Sequence, residues 1–403
     1  AQPFRYRDGV LSYVGELWNY ADLRDDLARA GHAFETSGDT EVLAAALSEW
    51  GIEALNHLDG MFCFAWTSPR EGVIVRDRFG KIPLYTLRAP GLLAWASERK
   101  AFGSLAGAAE ALPPAHAMDL RTGVARRYYA IPDVASDLPA QELDEIVHRA
   151  VRKRLVTSDV PVCVLLSGGL DSSLITAIAA SIRPDVVAYT CHVDPGSEDA
   201  EAARDMAKVL GVELREVAVA APSDLDLSAA IRAVELSNPT AVEIAALCLP
   251  LAERIAADGF KVALTGESAD ELFGGYGNLC RHAGTDLTWR AARRVAFERQ
   301  GRINFVRVNK AFMAHGVEPR MPFCEREIVE RALGLGVSAC PPGKGLLRAA
   351  ASRWLPERIC RREKVAFQVG AGASSSLSGR LGAGRVRAYN DIARGMFGML
   401  AYG

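Results

Sequence analysis

A short segment between residues 162 and 173 carries residue types that bind phosphate. Its sequence, VCVLLSGGLDSS, is an apolar run followed by two glycines, an aspartate and serines. The apolar run predicts a buried parallel strand, and the alanine-rich stretch from Leu174 to Ser181 predicts a helix. A glycine turn between a strand and a helix leaves backbone N–H groups free to bind an anion, and the helix dipole adds to that attraction. Asp171 indicates a Mg²⁺ ion that bridges the carboxylate to the phosphates.

A second acidic segment, TGESADELFGGY at residues 265–276, follows another predicted strand over 261–265. Asp270 can supply a second carboxylate to the metal, facing Asp171 across a nucleotide. Glu267 can act as a base near a reacting carbonyl group. The alternative is an acidic surface loop after a strand. If both segments lie at the carboxyl ends of strands in one sheet, they form a single site.

The composition excludes several classes of protein. The chain has 403 residues and a formal charge of −2, so bulk electrostatics give no reason to expect a nucleic-acid partner. It contains no apolar run long enough for a membrane span and no signal-like start, which predicts a cytoplasmic protein. The eight cysteines form no CxxC pair, which favours reduced, buried thiols over zinc. The start at Ala-Gln-Pro leaves open whether residues precede it.

The periodicity predicts two domains, at residues 1–135 and 140–403, with a polar connection around 136–142. The first has helices over 19–30 and 39–50, with Asp39 as the helix cap, and short strands over 61–66, 72–76, 84–88, 92–96 and 115–120. This pattern is typical of an α+β sandwich. From residue 160 onward strands and helices alternate, which predicts a doubly wound parallel sheet of the α/β class, and the remainder is predicted to be a helical extension.

The first domain resembles the glutaminase domain of class B asparagine synthetases, an Ntn-hydrolase fold. The resemblance lies in GELWNY (15–20), GDTE (38–41), LDGMFCFA (58–65) and RDRFGKIPLY (76–85). The family's oxyanion asparagine is replaced by Val14, whose side chain cannot donate to an oxyanion. The family also uses an N-terminal cysteine nucleophile, whereas the first cysteine here is Cys63, in a core-like strand. We therefore expect this domain to be inactive as a glutaminase.

The second domain resembles the synthetase half of the same family, an ATP-pyrophosphatase (adenine nucleotide alpha hydrolase-like) fold. Its two segments are similar to the SGGxDS and LSGEGADELFGGY motifs, and residues 307–323, 343–348 and 361–367 match further family stretches. The resemblance implies ATP and pyrophosphate binding by Leu166, Ser167, Gly168, Gly169, Leu170, Asp171, Ser172, Ser173 and Gly266. It implies Asp171 and Asp270 as metal ligands, Glu267, Lys344 and Lys364 as catalytic residues, and Arg320 and Glu243 as substrate-binding residues. Each of these charged residues also has a structural alternative, as a solvated side chain or a helix-opening acid.

The resemblance implies an ATP- and Mg²⁺-dependent carbon–nitrogen ligase. It would adenylate a small-molecule carboxylate, release pyrophosphate and couple the acyl group to an amine or ammonia, with a homodimer among the assemblies to test. Simple asparagine synthesis is disfavoured, because PTAVEIA (239–245) stands where the synthetases hold aspartate. We expect an amide synthetase or amidotransferase of bacterial specialised (antibiotic) metabolism. The alternatives are an intramolecular β-lactam or carbapenam synthetase-like cyclase, to which residues 370–378 are similar, and an inactive scaffold protein.

Overall fold

The computed structural model describes residues 2–219, 227–363, 370–371 and 385–397. The chain divides into two compact units, residues 1–130 and 131–403. The second unit begins a few residues before the predicted polar connection. The reason is that Ile131 and Ser136 already bond within it: Arg294 Nη1 donates to the Ile131 carbonyl at 2.9 Å, and Ser136 N to the Gly334 carbonyl at 3.1 Å.

The first unit has two antiparallel sheets and two helices on one of them. The six-stranded sheet has the order β1-β2-β3-β4-β8-β9, and the three-stranded sheet has the order β6-β5-β7. The elements are β1 Phe4–Tyr6, β2 Gly9–Leu17, α1 Tyr20–Arg29, α2 Asp39–Trp50, β3 Gly60–Thr67, β4 Gly72–Arg76, β5 Tyr85–Ala89, β6 Leu92–Ala96, β7 Glu110–Ala111, β8 His116–Asp119 and β9 Ala125–Arg127.

Strand β3 lies at the centre of this unit and is buried on both faces. Phe62 and Phe64 pack into one apolar cluster with Leu43 of α2, while Cys63 packs on the opposite face of the sheet. This alternation follows from the two-residue period of a strand. The prediction that Asp39 caps α2 is wrong. Gly38 occupies the cap position without a side-chain bond, and the Asp39 carboxylate instead accepts hydrogen bonds from the Tyr13 hydroxyl at 2.6 Å and Leu17 N at 3.0 Å.

The second unit is built on a five-stranded parallel sheet of order β12-β11-β10-β13-β14, as predicted for a doubly wound α/β domain. Its strands are β10 Val162–Leu165, β11 Val187–His192, β12 Glu213–Ala218, β13 Val262–Leu264 and β14 Glu318–Arg320. In the register, Val164 lies between Ala188 of β11 and Leu264 of β13. The segments that follow β10 and β13 therefore leave the same edge of the sheet side by side. The edge strand β14 lies in a region for which only helices were predicted.

The helices of the second unit cover the sheet and extend beyond it. They are α3 Ala140–Val156, α4 Leu170–Ile182, α5 Glu198–Leu210, α6 Leu227–Val234, α7 Pro239–Ala257, α8 Ala269–Phe273, α9 Gly277–Cys280, α10 Asp286–Arg299, α11 Asn304–Met313, α12 Arg326–Gly334, α13 Gly345–Ala351, α14 Glu357–Arg361 and α15 Arg385–Phe397. Helix α7 begins where Asn238 accepts from Ala241 N at 3.1 Å, with Pro239 in its first turn. None of the described helices has the length and apolar character needed to cross a membrane.

Candidate active site

The loop between β10 and α4 has the form predicted for an anion site. Gly168 has a φ of +70°, and a β-carbon there would collide with the backbone of Ala202, so only glycine fits. Gly169 is the cap residue of α4, whose first turn contains Asp171. Glycine thus lets the chain turn from the strand into a helix whose N-terminal N–H groups open at the edge of the sheet.

The serine hydroxyls organise this loop. Ser172 Oγ accepts from Ser167 N at 3.1 Å, donates to the Gly169 carbonyl at 3.2 Å and lies 3.0 Å from Ser167 Oγ. Ser173 is fully buried inside α4, and its N–H donates to the Gly169 carbonyl at 3.0 Å. Ser167 and Ser172 therefore fix the shape of the loop, whereas Ser173 belongs to the helix interior.

The second predicted segment packs directly on the first at Gly266. A β-carbon at Gly266 would lie 2.9 Å from the Asp171 β-carbon and 3.0 Å from Ser172 N, too close for any larger residue without displacement. The next residue, Glu267, has its N–H bonded to Thr265 Oγ1 at 3.3 Å. The packing of the two loops brings the acidic segment next to the serine loop.

Lys344 joins the two predicted metal-binding carboxylates. Its Nζ forms ion pairs with Asp171 and, at 2.6 Å, with Asp270 Oδ1. The lysine is buried and adopts a left-handed backbone with φ +65° just before α13. Gly275 leaves room for this arrangement, because a β-carbon there would collide with both the Asp270 carboxylate and the Lys344 side chain. Two carboxylates and an ammonium group thus converge beside the serine loop.

Glu267 is held by an arginine from another helix. Arg307 Nη2, on α11, donates to Glu267 Oε1 at 2.6 Å, and the arginine side chain is only 7 % exposed. Burial is the largest effect and lowers the pKa of the Arg307 guanidinium. The charge and hydrogen bond of Glu267, together with Cys248 and Tyr276, outweigh burial, so that the pKa is raised. The pair fixes one oxygen of Glu267 and keeps the Arg307 guanidinium charged.

The neighbouring Glu271 has a raised pKa. Burial, followed by the charges of Asp270 and Glu267, raises its pKa to about 8, so its carboxyl group is mostly protonated at neutral pH. Its Oε1 lies 3.0 Å from the Tyr276 hydroxyl and 3.1 Å from Asn304 Nδ2. These bonds connect the second loop to α11 without adding another charge to the site.

These groups face a single cavity of about 940 Å³. Of the predicted residues, Leu166, Ser167, Gly169, Leu170, Asp171, Ser172, Gly266, Glu267, Asp270 and Lys344 line it. Gly168 and Ser173 support the loop from behind. Lys364 lies outside the described residues.

Neither predicted substrate-binding residue is among the described residues that line the cavity. Arg320 is buried, and its guanidinium donates to Glu318 Oε1 at 2.7 Å and to the Arg154 carbonyl at 2.8 Å. Glu243 is buried in α7, one residue before the cavity-lining Ile244. The geometry thus gives Arg320 a structural task between β14 and α3, and a substrate contact for either residue stays a prediction.

Sequence reasoning missed the residues that α7 and α11 bring to the cavity. Thr240, Ile244, Cys248 and Leu251 line it from α7, and Asn304, Arg307, Val308 and Phe312 line it from α11. The three- and four-residue spacing within each set was visible in the sequence as one helical face. Nothing in that spacing distinguishes a face toward a cavity from a face toward the core.

Three residues of the first unit bear on the prediction that this domain is inactive as a glutaminase. Val14 is 46 % exposed and pairs with Cys63 across β2 and β3. Burial raises the pKa of the Cys63 thiol to about 12, so this cysteine is not a thiolate at neutral pH. Gly15, with φ +142°, lies against the backbone of Met61, where a β-carbon would collide. Its presence is explained by strand packing alone.

Comparison with known proteins identifies the family. Residues 142–306 and 290–385 match the asparagine synthase family, and residues 1–130 match a glutamine amidotransferase domain. The chain is 31% identical to asparagine synthetase [glutamine-hydrolyzing] 3 of Arabidopsis thaliana, over 93% of this chain and 69% of that protein. It is also 31% identical to asparagine synthetase B of Escherichia coli K12, over 93% and 72% of the two chains. The predicted resemblance and the predicted class, an ATP-dependent carbon–nitrogen ligase, are confirmed, and the chain belongs to the asparagine synthase family.

Proposed function

We propose that this chain adenylates a small-molecule carboxylate with ATP, releases pyrophosphate, and transfers the acyl group to an amine or ammonia with release of AMP. The observation that carries the proposal is the single cavity that contains the serine–glycine loop, Lys344 with its two carboxylates, and Glu267. Phosphate binding, charge neutralisation and a base are the three tasks that this sequence of reactions requires.

The residues fit a Mg²⁺ ion. Asp171 and Asp270 converge on one point, and Mg²⁺ is commonly held by one or two carboxylates together with substrate phosphates. Within the described part of the chain, no group of three or more His, Cys, Asp and Glu residues forms a ready-made metal cage. We therefore assign Asp171 and Asp270 as the protein ligands of Mg²⁺, which supplies charge neutralisation at the phosphates when bound.

The chain's own residues divide the remaining work. Backbone N–H groups at the start of α4 and the hydroxyl of Ser167 bind the phosphates, and Lys344 neutralises the negative charge that pyrophosphate carries away. Glu267, fixed by Arg307, takes the proton from the attacking amine, which needs a free lone pair to reach the acyl carbon. Lys364 is a second candidate for neutralising charge on the family resemblance alone.

The glutamate at position 267 supports transfer to a separate nitrogen nucleophile rather than cyclisation. The β-lactam synthetases place a tyrosine at this position, whereas the asparagine synthetases have the glutamate found here. The stretch from Asn238 to Glu243 departs from the one with which the synthetases hold aspartate. We therefore propose an acid other than aspartate and a place in bacterial specialised metabolism, with cyclisation as the alternative outcome of the test.

The test is isotope exchange between pyrophosphate and ATP in the presence of candidate acids and Mg²⁺. Exchange that depends on an acid is the expected result, and its absence with every acid and amine pair would overturn the proposal. Asp171→Asn and Asp270→Asn are expected to lower exchange by about 10²-fold or more, because an amide is a poorer Mg²⁺ ligand than a carboxylate. Both changes also weaken an ion pair with buried Lys344, so thermal unfolding must show that each variant is folded. Near-normal exchange in either folded variant would remove that residue from the metal site.

A further inference from the structure

We infer that the acyl subsite takes a carboxylic acid with an apolar body, rather than a small amino acid that carries an ammonium and a second carboxylate. The inference rests on the proposed adenylation and names its substrate class. Two observations support it. Helices α7 and α11 form apolar walls next to Glu267, and the buried and half-buried charged groups of the same cavity already have partners.

The α7 wall is mainly apolar. Ile244, Cys248 and Leu251 line the cavity at helical spacing, and Thr240 extends the same face toward solvent. Cys248 and Leu251 are buried, whereas Ile244 is half-buried and lines the cavity with an aliphatic side chain. The Cys248 thiol is uncharged at neutral pH, because burial raises its pKa to about 12.

The α11 wall faces the same space beside the reacting centre. Helices α7 and α11 pack against each other, and Val308 belongs to the apolar lining of the cavity, with the fully buried Phe312 behind it. Arg307, one residue before Val308, bonds to Glu267. The apolar walls therefore lie next to the proposed base, where the body of the acid must sit.

The buried and half-buried cations of the cavity already have anionic or carbonyl partners. Arg307 pairs with Glu267 at 2.6 Å, and Lys344 pairs with Asp171 and Asp270. Arg362 pairs with Asp199 at 2.8 Å, and Arg348 donates to the carbonyls of Gly343, Cys360 and Arg362. Arg299 also lines the cavity, but it is exposed, where an ion pair contributes little.

The carboxylates offer no better match to an ammonium group. Glu267 is held by Arg307, and Glu271 accepts hydrogen bonds from the Tyr276 hydroxyl and Asn304 Nδ2. Of the other lining carboxylates, Asp199 pairs with Arg362, and Glu363 is exposed, where an ion pair contributes little. A small amino acid would bring two extra charges against the wall formed by Ile244 and Val308, where desolvation without a partner is costly. An apolar body would instead bury its surface there, which is favourable.

The experiment compares pyrophosphate exchange driven by hexanoate, 3-phenylpropanoate and L-aspartate with the same enzyme and Mg²⁺. We expect the apolar acids to exceed aspartate in kcat/KM for exchange by about 10²-fold or more, the size of discrimination that unpaired polar groups give. Aspartate equal to or better than both apolar acids would overturn the inference and leave the adenylation standing. No exchange with any acid would count against the adenylation itself.

Substitution of Ile244 in the α7 wall distinguishes the loss of a substrate contact from a general effect on the enzyme. Ile244→Lys is expected to lower exchange with the apolar acids by about 10-fold, and Ile244→Ala, which removes only aliphatic groups, to lower it several-fold. Leu287→Lys is the matched control, because this α10 leucine is 71 % exposed and does not line the cavity. If Ile244→Ala and Leu287→Lys lower exchange with the apolar acids equally, or if neither lowers it, the inference is overturned. This comparison holds even if Ile244→Lys does not fold.

Discussion

Glu267 and Glu271 lie four residues apart, yet their surroundings differ. Glu267 is paired with a guanidinium group, whereas Glu271 faces the negative charges of its neighbours and has a pKa of about 8. A carboxyl group that is already protonated, as that of Glu271 mostly is at neutral pH, cannot act as a base there. The two glutamates should therefore respond differently to replacement by glutamine.

Glu267→Gln is expected to keep pyrophosphate exchange and to lose amide formation by about 10²-fold or more, the usual contribution of a positioned base. The reason is that a base is needed only after the acyl-adenylate exists, when the amine attacks. Exchange and product formation are measured separately on the same enzyme. A parallel fall in both would assign Glu267 to the metal site instead.

Glu271→Gln is the matched control for this variant. Glutamine is close in shape and charge to a protonated glutamic acid, and its amide group can keep the bonds to Tyr276 and Asn304. Both half-reactions should therefore continue at rates near those of the wild type. A loss of amide formation in both variants would show that the site tolerates no change on this loop and would remove the specific argument for Glu267.

At the scale of elements, the start of α12 is tied to α3 by a buried cluster of charges. Glu325, the cap residue of α12, accepts from Lys153 Nζ at 2.8 Å and Arg154 Nη1 at 2.9 Å. Burial raises the pKa of Glu325, but the two cations outweigh burial and hold the pKa at about 2. The cluster anchors the helical extension to the helix that precedes the parallel sheet.

The lowered pKa of Glu325 determines how the free energy of unfolding depends on pH. The native state holds Glu325 ionised to about pH 2, while the ordinary pKa is 4.5, so the stabilisation is complete above about pH 4.5 and is lost as the pH falls toward 2. Glu325→Gln should lower the free energy of unfolding by about 3 kcal/mol at pH 7, as for removal of one partner of a buried pair. The difference from the wild type should shrink between pH 4.5 and 2.

Chemical denaturation at several pH values measures this difference. Glu327→Gln is the control, because its pair with Arg149 at 3.0 Å is largely exposed and should contribute less than about 1 kcal/mol. Equal losses for Glu325→Gln and Glu327→Gln, or a constant difference down to pH 2, would contradict the assignment of Glu325 as a buried anchor.

The elements that were predicted from the sequence are each defined by a short, continuous segment of the chain. Strand β10 and helix α4 follow from an apolar run, two glycines and an alanine-rich stretch, all within about twenty residues. Strand β14 was missed because Glu318, Pro319 and Arg320 give no apolar run, and only pairing with β13 defines them as a strand. Lys344 with Asp171, and Arg307 with Glu267, are pairs of residues far apart in the chain, and no local pattern can predict such contacts.

At the scale of the whole molecule, the chain carries a glutamine amidotransferase domain and a synthetase domain of one family, with different degrees of preservation. In the second unit, the described residues of the predicted phosphate and metal site, except Gly168 and Ser173, line one cavity. In the first unit, an exposed valine stands at the oxyanion position of the family, and Cys63 is buried between β-strands. This contrast leads us to expect that glutamine is not the nitrogen source of the amide-forming step.

We therefore expect the protein to release no glutamate from glutamine, and to form its amide from ammonia or an amine supplied directly. Val14 cannot stabilise an oxyanion, and loss of one such donor alone costs about 10²- to 10³-fold in acyl-transfer rate. The Cys63 thiol, with a pKa of about 12, is neither ionised nor exposed, so it does not act as a nucleophile at neutral pH. The measurement is glutamate release during incubation with glutamine, compared for the wild type and Cys63→Ser. Steady release by the wild type would contradict the prediction, and its loss in Cys63→Ser would identify the nucleophile. Amide formation with ammonium but not with glutamine, unchanged by Cys63→Ser, is the result that an inactive first domain requires.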